Sequence, residues 1–251
     1  MSILNKAAVV EEMIEDRMPA IVATYLGGKM PSERALWNSL VAAEAEVARK
    51  LGIWLEPTEV FPVTQPTAEE LAALDGKPYV VEPGYDMEGG MLGSFQWASI
   101  RLAQRPLIKL HSVKFVYPTI SAPVYDVPLE WVYPDYKAGL LQFTPKPTSS
   151  GMAPSVLGAS IMARGGAVPQ MIRIRYTAGL APNHPSMPDV HDLIMRVATL
   201  RHLKFMPQSS SISADGLSQS KSLDVGKFHT VLNEELASLR ERLLGPIWSA
   251  L

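Results

Sequence analysis

The chain has 251 residues, of which 47% are hydrophobic and 19% charged, and its formal net charge is −2. This composition is typical of an ordered globular protein and excludes a disordered chain. The chain has no cysteine, which excludes disulfide frameworks, cysteine-ligated zinc and thiol catalysis. No block of basic residues marks a surface that grips nucleic acid by its phosphates, although DNA could still pass along the protein.

Two helices are predicted at the start of the chain. The first covers residues 5–26, with Val9, Met13 and Ile14 inward and a disturbance at Pro19. The second runs from Ser32-Glu33 to Gly52, with apolar positions at helical spacing: Leu36, Leu40, Val41, Ala43, Val47 and Leu51. Acidic residues follow the short apolar start directly, which favours a mature helix over a signal peptide. No apolar run is long enough to span a bilayer, so no membrane association is expected.

A β-rich middle is predicted next. Its strand candidates are Glu59–Phe61, Tyr79–Val81, Phe95–Leu102, Leu107–Tyr117, Leu129–Tyr133 and Leu140–Thr144, with a small helix at Thr67–Leu74. Pro118, Pro123 and Pro128 predict a stiff extended connection. Tyr125 and Trp131 are candidate exposed interface anchors, with ordinary sheet packing as the alternative.

The sequence predicts one structural domain over residues 1–251 with an α+β fold. An internal division is expected near residues 145–170, where proline and glycine interrupt the periodic pattern. Before this stretch lies the β-rich middle, and after it a C-terminal block of strand, helix, serine-rich loop and helix.

The C-terminal block begins with a strand at Met171–Thr177, in which Ile172, Ile174 and Tyr176 alternate with polar residues. A helix is predicted to start at Ser186 and to end before Pro207, with its apolar stripe at Val190, Leu193, Ile194, Val197 and Leu200. A second helix is predicted from Asp224 to Leu244, with Val225, Phe228, Leu232, Leu236, Leu239 and Leu243 on one stripe. The matched stripes predict that the two helices pack together.

The segment Gln208–Ser222 between these helices is rich in serine, which is typical of a flexible linker. However, Asp215-Gly216 favours the positive φ angles of a tight hairpin turn, and Ile212 and Leu217 interrupt the serines near it. Both an ordered hairpin and a mobile loop therefore remain open. An ordered hairpin of this composition would gain most from packing against a neighbouring chain.

No nucleophile elbow, phosphate-binding loop, zinc-protease motif or calcium-binding loop is present in the sequence. His191 and His202 share a predicted helix, but they are three turns apart and cannot bind one ion alone. The sequence therefore predicts no catalytic residue, no metal site and no cofactor, and it argues against an enzyme.

Two runs of residues support a resemblance. Ile174-Arg-Tyr-Thr-Ala-Gly179 is followed, after a helix, by Ser211-Ile-Ser-Ala-Asp-Gly-Leu-Ser-Gln-Ser220 and a closing helix. Together they resemble the C-terminal half of virion proteins of tailed bacteriophages, several of which are neck or head–tail connector (adaptor) components. Where similar proteins read Ser-Ile-Asp-Gly, this chain has Ser213-Ala214-Asp215-Gly216, which keeps the turn. The resemblance covers roughly the last third of the chain.

The resemblance implies a structural protein that forms a homo-oligomeric ring, dodecameric by analogy, at the head–tail junction of a virion. Such a ring would contact the portal and other neck or tail proteins, let viral DNA pass, and assemble in the host cytoplasm. The interface residues expected in the hairpin are Ser211, Ile212, Asp215, Gly216, Leu217 and Gln219. The alternatives are another virion component, such as a tail or baseplate subunit, and a small-molecule enzyme or binding protein.

Overall fold

The structure is a computed structural model that describes residues 3–26, 28–62, 66–88, 98–116, 123–143, 167–203, 210–214, 217–221 and 225–245. The fold is α+β, as predicted. The chain divides into two compact units, a helical unit (Met1–Gly52 with Asn183–Arg242) and a sheet unit (Ile53–Pro182 with Leu243–Leu251). The division predicted near residues 145–170 lies mostly outside the described residues and stays a prediction.

The bounds of the elements follow the chain order. The helices are α1 (Lys6–Glu12), α2 (Pro19–Tyr25), α3 (Glu33–Leu51), α4 (Ala68–Ala73), α5 (Met187–Leu203) and α6 (Val225–Leu244). The strands are β1 (Thr58–Phe61), β2 (Tyr79–Val81), β3 (Tyr85–Glu88), β4 (Ala98–Arg101), β5 (Leu107–Val116), β6 (Pro123–Val127), β7 (Val132–Asp135), β8 (Leu140–Phe143), β9 (Ala167–Ala178), β10 (Ser210–Ala214) and β11 (Leu217–Lys221).

The first predicted helix is divided into three segments. A π-helical turn over Met13–Arg17 follows α1, and the Met18 N–H donates to the Met13 carbonyl at 2.9 Å. Pro19 then occupies the first turn of α2, where its missing N–H leaves no helical bond unmade. The disturbance predicted at Pro19 is therefore present, and it begins several residues earlier than the proline.

Helix α3 has the predicted bounds because both ends are capped. The Ser32 hydroxyl accepts the Ala35 N–H at 3.3 Å, and Gly52 ends the helix at φ +69°. The stripe of α3 is buried at Leu36, Leu40, Ala43, Val47 and Leu51. Val41 is 40% exposed, so its predicted place on this stripe is wrong.

Helix α5 buries all five residues of its predicted stripe. Its most extensive helical contact is with α3, a partner that the sequence did not predict. An apolar stripe shows which face of a helix is buried but not which helix covers it. Ion pairs nevertheless join α5 to α6, including Asp189 with Arg242 at 2.9 Å. Within the described residues, no helix is long and apolar enough to cross a membrane.

The sheet unit is organised around β9. One edge of β9 pairs with β3 and β1, the other edge pairs with β5, and the sheet order is β2-β1-β9-β5-β6. Strands β1 and β2 are parallel, and a second sheet has the order β4-β8-β7. Residues Ile172, Ile174 and Tyr176 of β9 are 0% exposed, as their alternation predicts. They share one core with residues of the second sheet: Ile100, Val132, Leu141 and Phe143.

Two predictions for the middle of the chain need correction. Residues Pro123–Val127 form the edge strand β6, paired with β5, where an extended loop was predicted. Pro123 is the first residue of this strand, a position at a sheet edge that proline tolerates. Residues Leu129–Trp131 form a 3-10 turn, and the predicted strand begins only at Val132.

Candidate interaction surface

The serine-rich segment contains a paired hairpin. Strands β10 and β11 are antiparallel, with Ser211 opposite Ser220, Ile212 opposite Gln219 and Ala214 opposite Leu217. Of the two alternatives for this segment, the ordered hairpin is therefore the observed one. The predicted turn residues Asp215 and Gly216 lie outside the described residues, and the register leaves only these two positions between the strands.

The two aromatic candidates lie in the sheet unit. Trp131 is 6% exposed, and its ring centroid lies 6.3 Å from that of half-buried Tyr125. The expected exposure of Trp131 is therefore wrong, because the 3-10 turn directs this residue into the core. Sheet packing accounts for both positions, and their role in an interface stays a prediction.

Other large side chains in the same region are more exposed. Tyr133 is 56% exposed on β7, Tyr136 is 52% exposed in the turn that follows, and Leu129 is 43% exposed. Tyrosines of this kind are frequent interface anchors because they present a large contact area with few rotatable bonds. The sequence predicted Tyr133 only as a strand residue. Alternation separates the two faces of a strand, but it does not show which face is covered by another part of the protein.

An apolar groove of about 400 Å³ lies in the helical unit. Its lining comes from the turn before α2, from α2, from α5 and from α6: Arg17, Ile21, Arg196, Thr199, Leu200, Leu203, Phe228, Val231 and Leu232. Phe228 is 52% exposed and Val231 is 42% exposed, so the predicted burial of Phe228 is wrong. The groove lies where α5 ends and α6 begins, close in sequence to the hairpin.

Both arginines at the groove are held by carboxylates. Arg196 binds Glu235 at 2.9 Å and Asp192 at 2.7 Å, and Arg17 binds the same Asp192 at 2.9 Å. These pairs balance the charge, so the groove offers an apolar floor and a largely neutralised rim. Such a surface suits an apolar side chain better than an anionic ligand.

A half-buried carboxylate lies in the sheet unit. The Glu82 carboxylate accepts the hydroxyls of Tyr85 at 2.8 Å and Tyr176 at 3.1 Å. Backbone N–H groups of Ala103 and Gln104 donate to these phenol oxygens at 2.9 and 3.2 Å. Burial raises the pKa of Glu82 and the pKa of both tyrosines. Each carboxylate oxygen already has a phenol donor, which indicates a structural role. The network connects β9 to the backbone that follows β4.

Arg175 forms a second polar cluster on β9. Its Nε donates to Glu59 Oε1 at 2.6 Å, and another guanidinium nitrogen donates to Glu70 Oε1 at 3.2 Å. The guanidinium also lies 4.5 Å from the centre of the Phe61 ring, whose edge-on neighbour is Tyr79 at 6.0 Å. This arrangement fixes the guanidinium on three sides, which indicates a structural role.

Histidines are engaged within each unit. His202 Nε2 lies 2.8 Å from Ser39 Oγ in the helical unit, and His111 Nε2 lies 2.8 Å from Thr177 Oγ1 in the sheet unit. Burial lowers the pKa of both imidazoles. Among the described residues, no group of three or more histidine and acidic side chains is arranged to bind a metal ion.

Comparison with known proteins gives a weak likeness. No protein-family model matches the chain, and no curated protein matches it. Among solved structures, a chain of the "Virion of native gene transfer agent (GTA) particle" is similar, with 14% sequence identity and a TM-score of 0.40. The match covers 96% of this chain and 88% of that chain. This TM-score is too low to indicate a shared fold.

Proposed function

We propose that this protein is a structural component of a tailed-phage virion that forms a homo-oligomeric ring at the head–tail junction, through which viral DNA passes. The ring would contact the portal and neighbouring neck or tail proteins, after assembly in the host cytoplasm. Ring symmetry, dodecameric by resemblance, belongs to the same proposal.

The observation that carries this proposal is the β10–β11 hairpin. It lies in the stretch that resembles phage virion proteins, and its five paired positions give that polar stretch a defined register. An isolated two-stranded hairpin is marginally stable in water. Since no third strand joins it within the described residues, contact with a neighbouring subunit would supply the missing support.

The charge of the hairpin also suits a DNA passage. Along the paired positions of β10 and β11, only Lys221 carries a charge. Each contact that neutralises a phosphate adds affinity and would slow DNA that moves through a channel. A polar wall with few cations allows DNA to move without being held.

Two alternatives remain. A tail or baseplate subunit would use the same hairpin in another ring of the virion. A small-molecule binding protein or enzyme is favoured by one observation, the apolar groove of about 400 Å³ with Phe228 and Leu203 in its lining. A pocket of that size is within the range that binds small ligands.

Electron microscopy of intact virions that contain the chain, with a tag at one terminus, tests the location. Density for the tag at the head–tail junction supports the proposal, and density at the tail or baseplate supports the first alternative. If the protein is absent from purified virions, the proposed function is wrong.

A substitution in the turn tests the part played by the hairpin. Gly216→Val introduces a β-branched residue where a tight turn needs positive φ, so assembly into particles should fail while the soluble protein stays folded. Ser218→Ala, on the neighbouring strand, is the matched control and should assemble normally. Normal particles from the Gly216→Val protein would show that the loop is a passive linker.

A further inference from the structure

The six-stranded sheet has an open edge at β2. The Glu59 N–H donates to the Pro78 carbonyl at 3.0 Å, and the Glu82 N–H donates to the Phe61 carbonyl at 3.0 Å. Backbone groups alternate in direction along a strand, so those of Pro78 and Glu82 point to β1 and those of Tyr79 and Val81 point away. In the described part of the chain, β1 is the only strand that pairs with β2. Within the described residues, Tyr79 and Val81 therefore present backbone donors and acceptors that no neighbouring strand uses.

The side chains at this edge favour contact with another chain. Tyr79 is 44% exposed and Val81 is 39% exposed. The Tyr79 ring packs edge-on against Phe61, which lies under the guanidinium of Arg175. Arg175 is itself held by Glu59 and Glu70, so the Tyr79 ring packs on side chains that are already tied into the sheet unit. Exposed sheet edges are the sites at which proteins add a strand from another chain.

The β10–β11 hairpin also has backbone groups that lack a partner strand. In a hairpin with two residues in its turn, the Ala214–Leu217 pair is hydrogen-bonded, and the pairs alternate from there. Ser211 and Ser213 then direct their backbone groups away from β11, while Ser218 and Ser220 direct theirs away from β10. Both outer edges of this two-stranded sheet are unpaired within the described residues.

We propose that the β10–β11 hairpin of one copy adds to the β2 edge of an adjacent copy, which extends the six-stranded sheet across the subunit boundary. This inference rests on the proposed function, because it names the surface that the hairpin meets in the ring. The contact joins two different surfaces, so it repeats from copy to copy and closes into a ring when the rotation allows.

The flanking prolines limit the strength of each contact. Pro78 and Pro83 lie on either side of β2 and restrict the open edge to three residues. A ladder this short gives few hydrogen bonds per contact, which protects the free subunit from uncontrolled aggregation. A closed ring would then be held by many such contacts at once.

Cysteine cross-linking tests the contact, since the natural chain has no cysteine to interfere. Two double variants of the full-length protein, Val81→Cys/Ser220→Cys and Val81→Cys/Ser211→Cys, probe the two outer edges of the hairpin. Polar strands specify their pairing register weakly. A short thiol-specific cross-linker is therefore used, because it tolerates a shift in register. We expect a ladder of covalent multimers on a denaturing gel from at least one variant.

The control is Asp126→Cys/Ser220→Cys, which places the first thiol at the opposite edge of the same sheet, where the Asp126 side chain is 69% exposed. This variant should stay monomeric on the gel. Equal ladders from control and test variants, or a cross-link confined to single chains, would overturn the inference.

Proline substitution gives a second readout that does not depend on thiols. Ser220→Pro removes an outward N–H from β11, and Ser211→Pro removes one from β10, while the hairpin's own ladder stays intact. One of the two should reduce self-association several-fold by light scattering, and the other should not. If neither does, or if the protein never self-associates, the inference is wrong.

Oligomers that lack the β2 cross-link would reject this contact alone, whereas absence of the protein from virions would reject the proposed function.

Discussion

Arg175 on β9 and Glu59 on β1 form a pair across neighbouring strands, with Arg175 Nε 2.6 Å from Glu59 Oε1. Glu59 lies opposite Thr177, so the pair is diagonal on one face of the sheet. The guanidinium also reaches Glu70 on α4, at 3.2 Å. One side chain therefore joins two strands and a short helix.

Arg175→Met should lower the free energy of unfolding by about 2 kcal/mol, because it leaves the mostly buried Glu59 carboxylate without its partner. Arg173→Met, two residues away on the same face of β9, is the control and should change it by less than about 0.5 kcal/mol. Urea denaturation measures both. Equal losses in the two variants would show that the Glu59 contact contributes nothing specific.

Leu236→Asp should destabilise the protein by about 3 kcal/mol or more, because Leu236 is 4% exposed and the new carboxylate would be buried without a partner. Ser238→Asp is the matched control, since Ser238 lies on the exposed side of the same helix. Thermal unfolding of both variants gives the comparison. If the Leu236→Asp protein unfolds at the same temperature as the wild type, α6 is not part of the core.

Gly179→Ala should cost about 3 kcal/mol or more. Gly179 has φ +115°, and a Cβ there would collide with the Glu56 carbonyl oxygen, a backbone atom in the bend just before β1. Gly76 also has a positive φ, +76°, but a Cβ there meets nothing within 4 Å. Gly76→Ala should therefore cost only about 1 kcal/mol, the backbone contribution alone. Similar losses in urea denaturation would show that the close approach at Gly179 is not the cause.

Acidification should destabilise the protein through His202 and His111. Burial lowers the pKa of both imidazoles in the folded state below the unfolded value of 6.5. The unfolded chain therefore binds protons first as the pH falls through 6.5, and stability decreases from that point downward. The His111→Gln/His202→Gln variant should show a shallower decrease below pH 6.5 in urea denaturation. An unchanged slope would contradict this origin of the acid sensitivity.

The sequence predicted elements whose signals are local. Ser32 and Gly52 bound α3 because a hydroxyl cap and a left-handed glycine act within one turn. The helix at α4 was predicted from Thr67 and the acidic residues after it, and a complete capping box with Glu70 is present. The alternation in β9 likewise identified Ile172, Ile174 and Tyr176 as core residues.

Features that depend on distant residues could not be predicted in the same way. Strand β6 was missed because its prolines indicate a loop, and only the pairing with β5 shows an edge strand. The same limit applies to Phe228, which keeps helical spacing but is 52% exposed. The Arg175 cluster joins residues more than a hundred positions apart, so no local pattern could show it. For the candidate surface, Asp215-Gly216 made a hairpin one of the two alternatives that the sequence left open, whereas the open edge at β2 required the strand order.

The discontinuous helical unit has a consequence for synthesis. Helix α3 ends at Leu51 and its main partner α5 begins at Met187, so residues 52–186 must be made between them. At roughly 5–20 residues per second, a ribosome needs on the order of ten seconds for that stretch. Throughout this interval the nascent chain carries the apolar residues of α3 without α5 to cover them, including Leu36, Leu40 and Val47. Chains truncated before α5 should therefore bind chaperones or aggregate, while the full chain folds its helical unit only after α5 has been made.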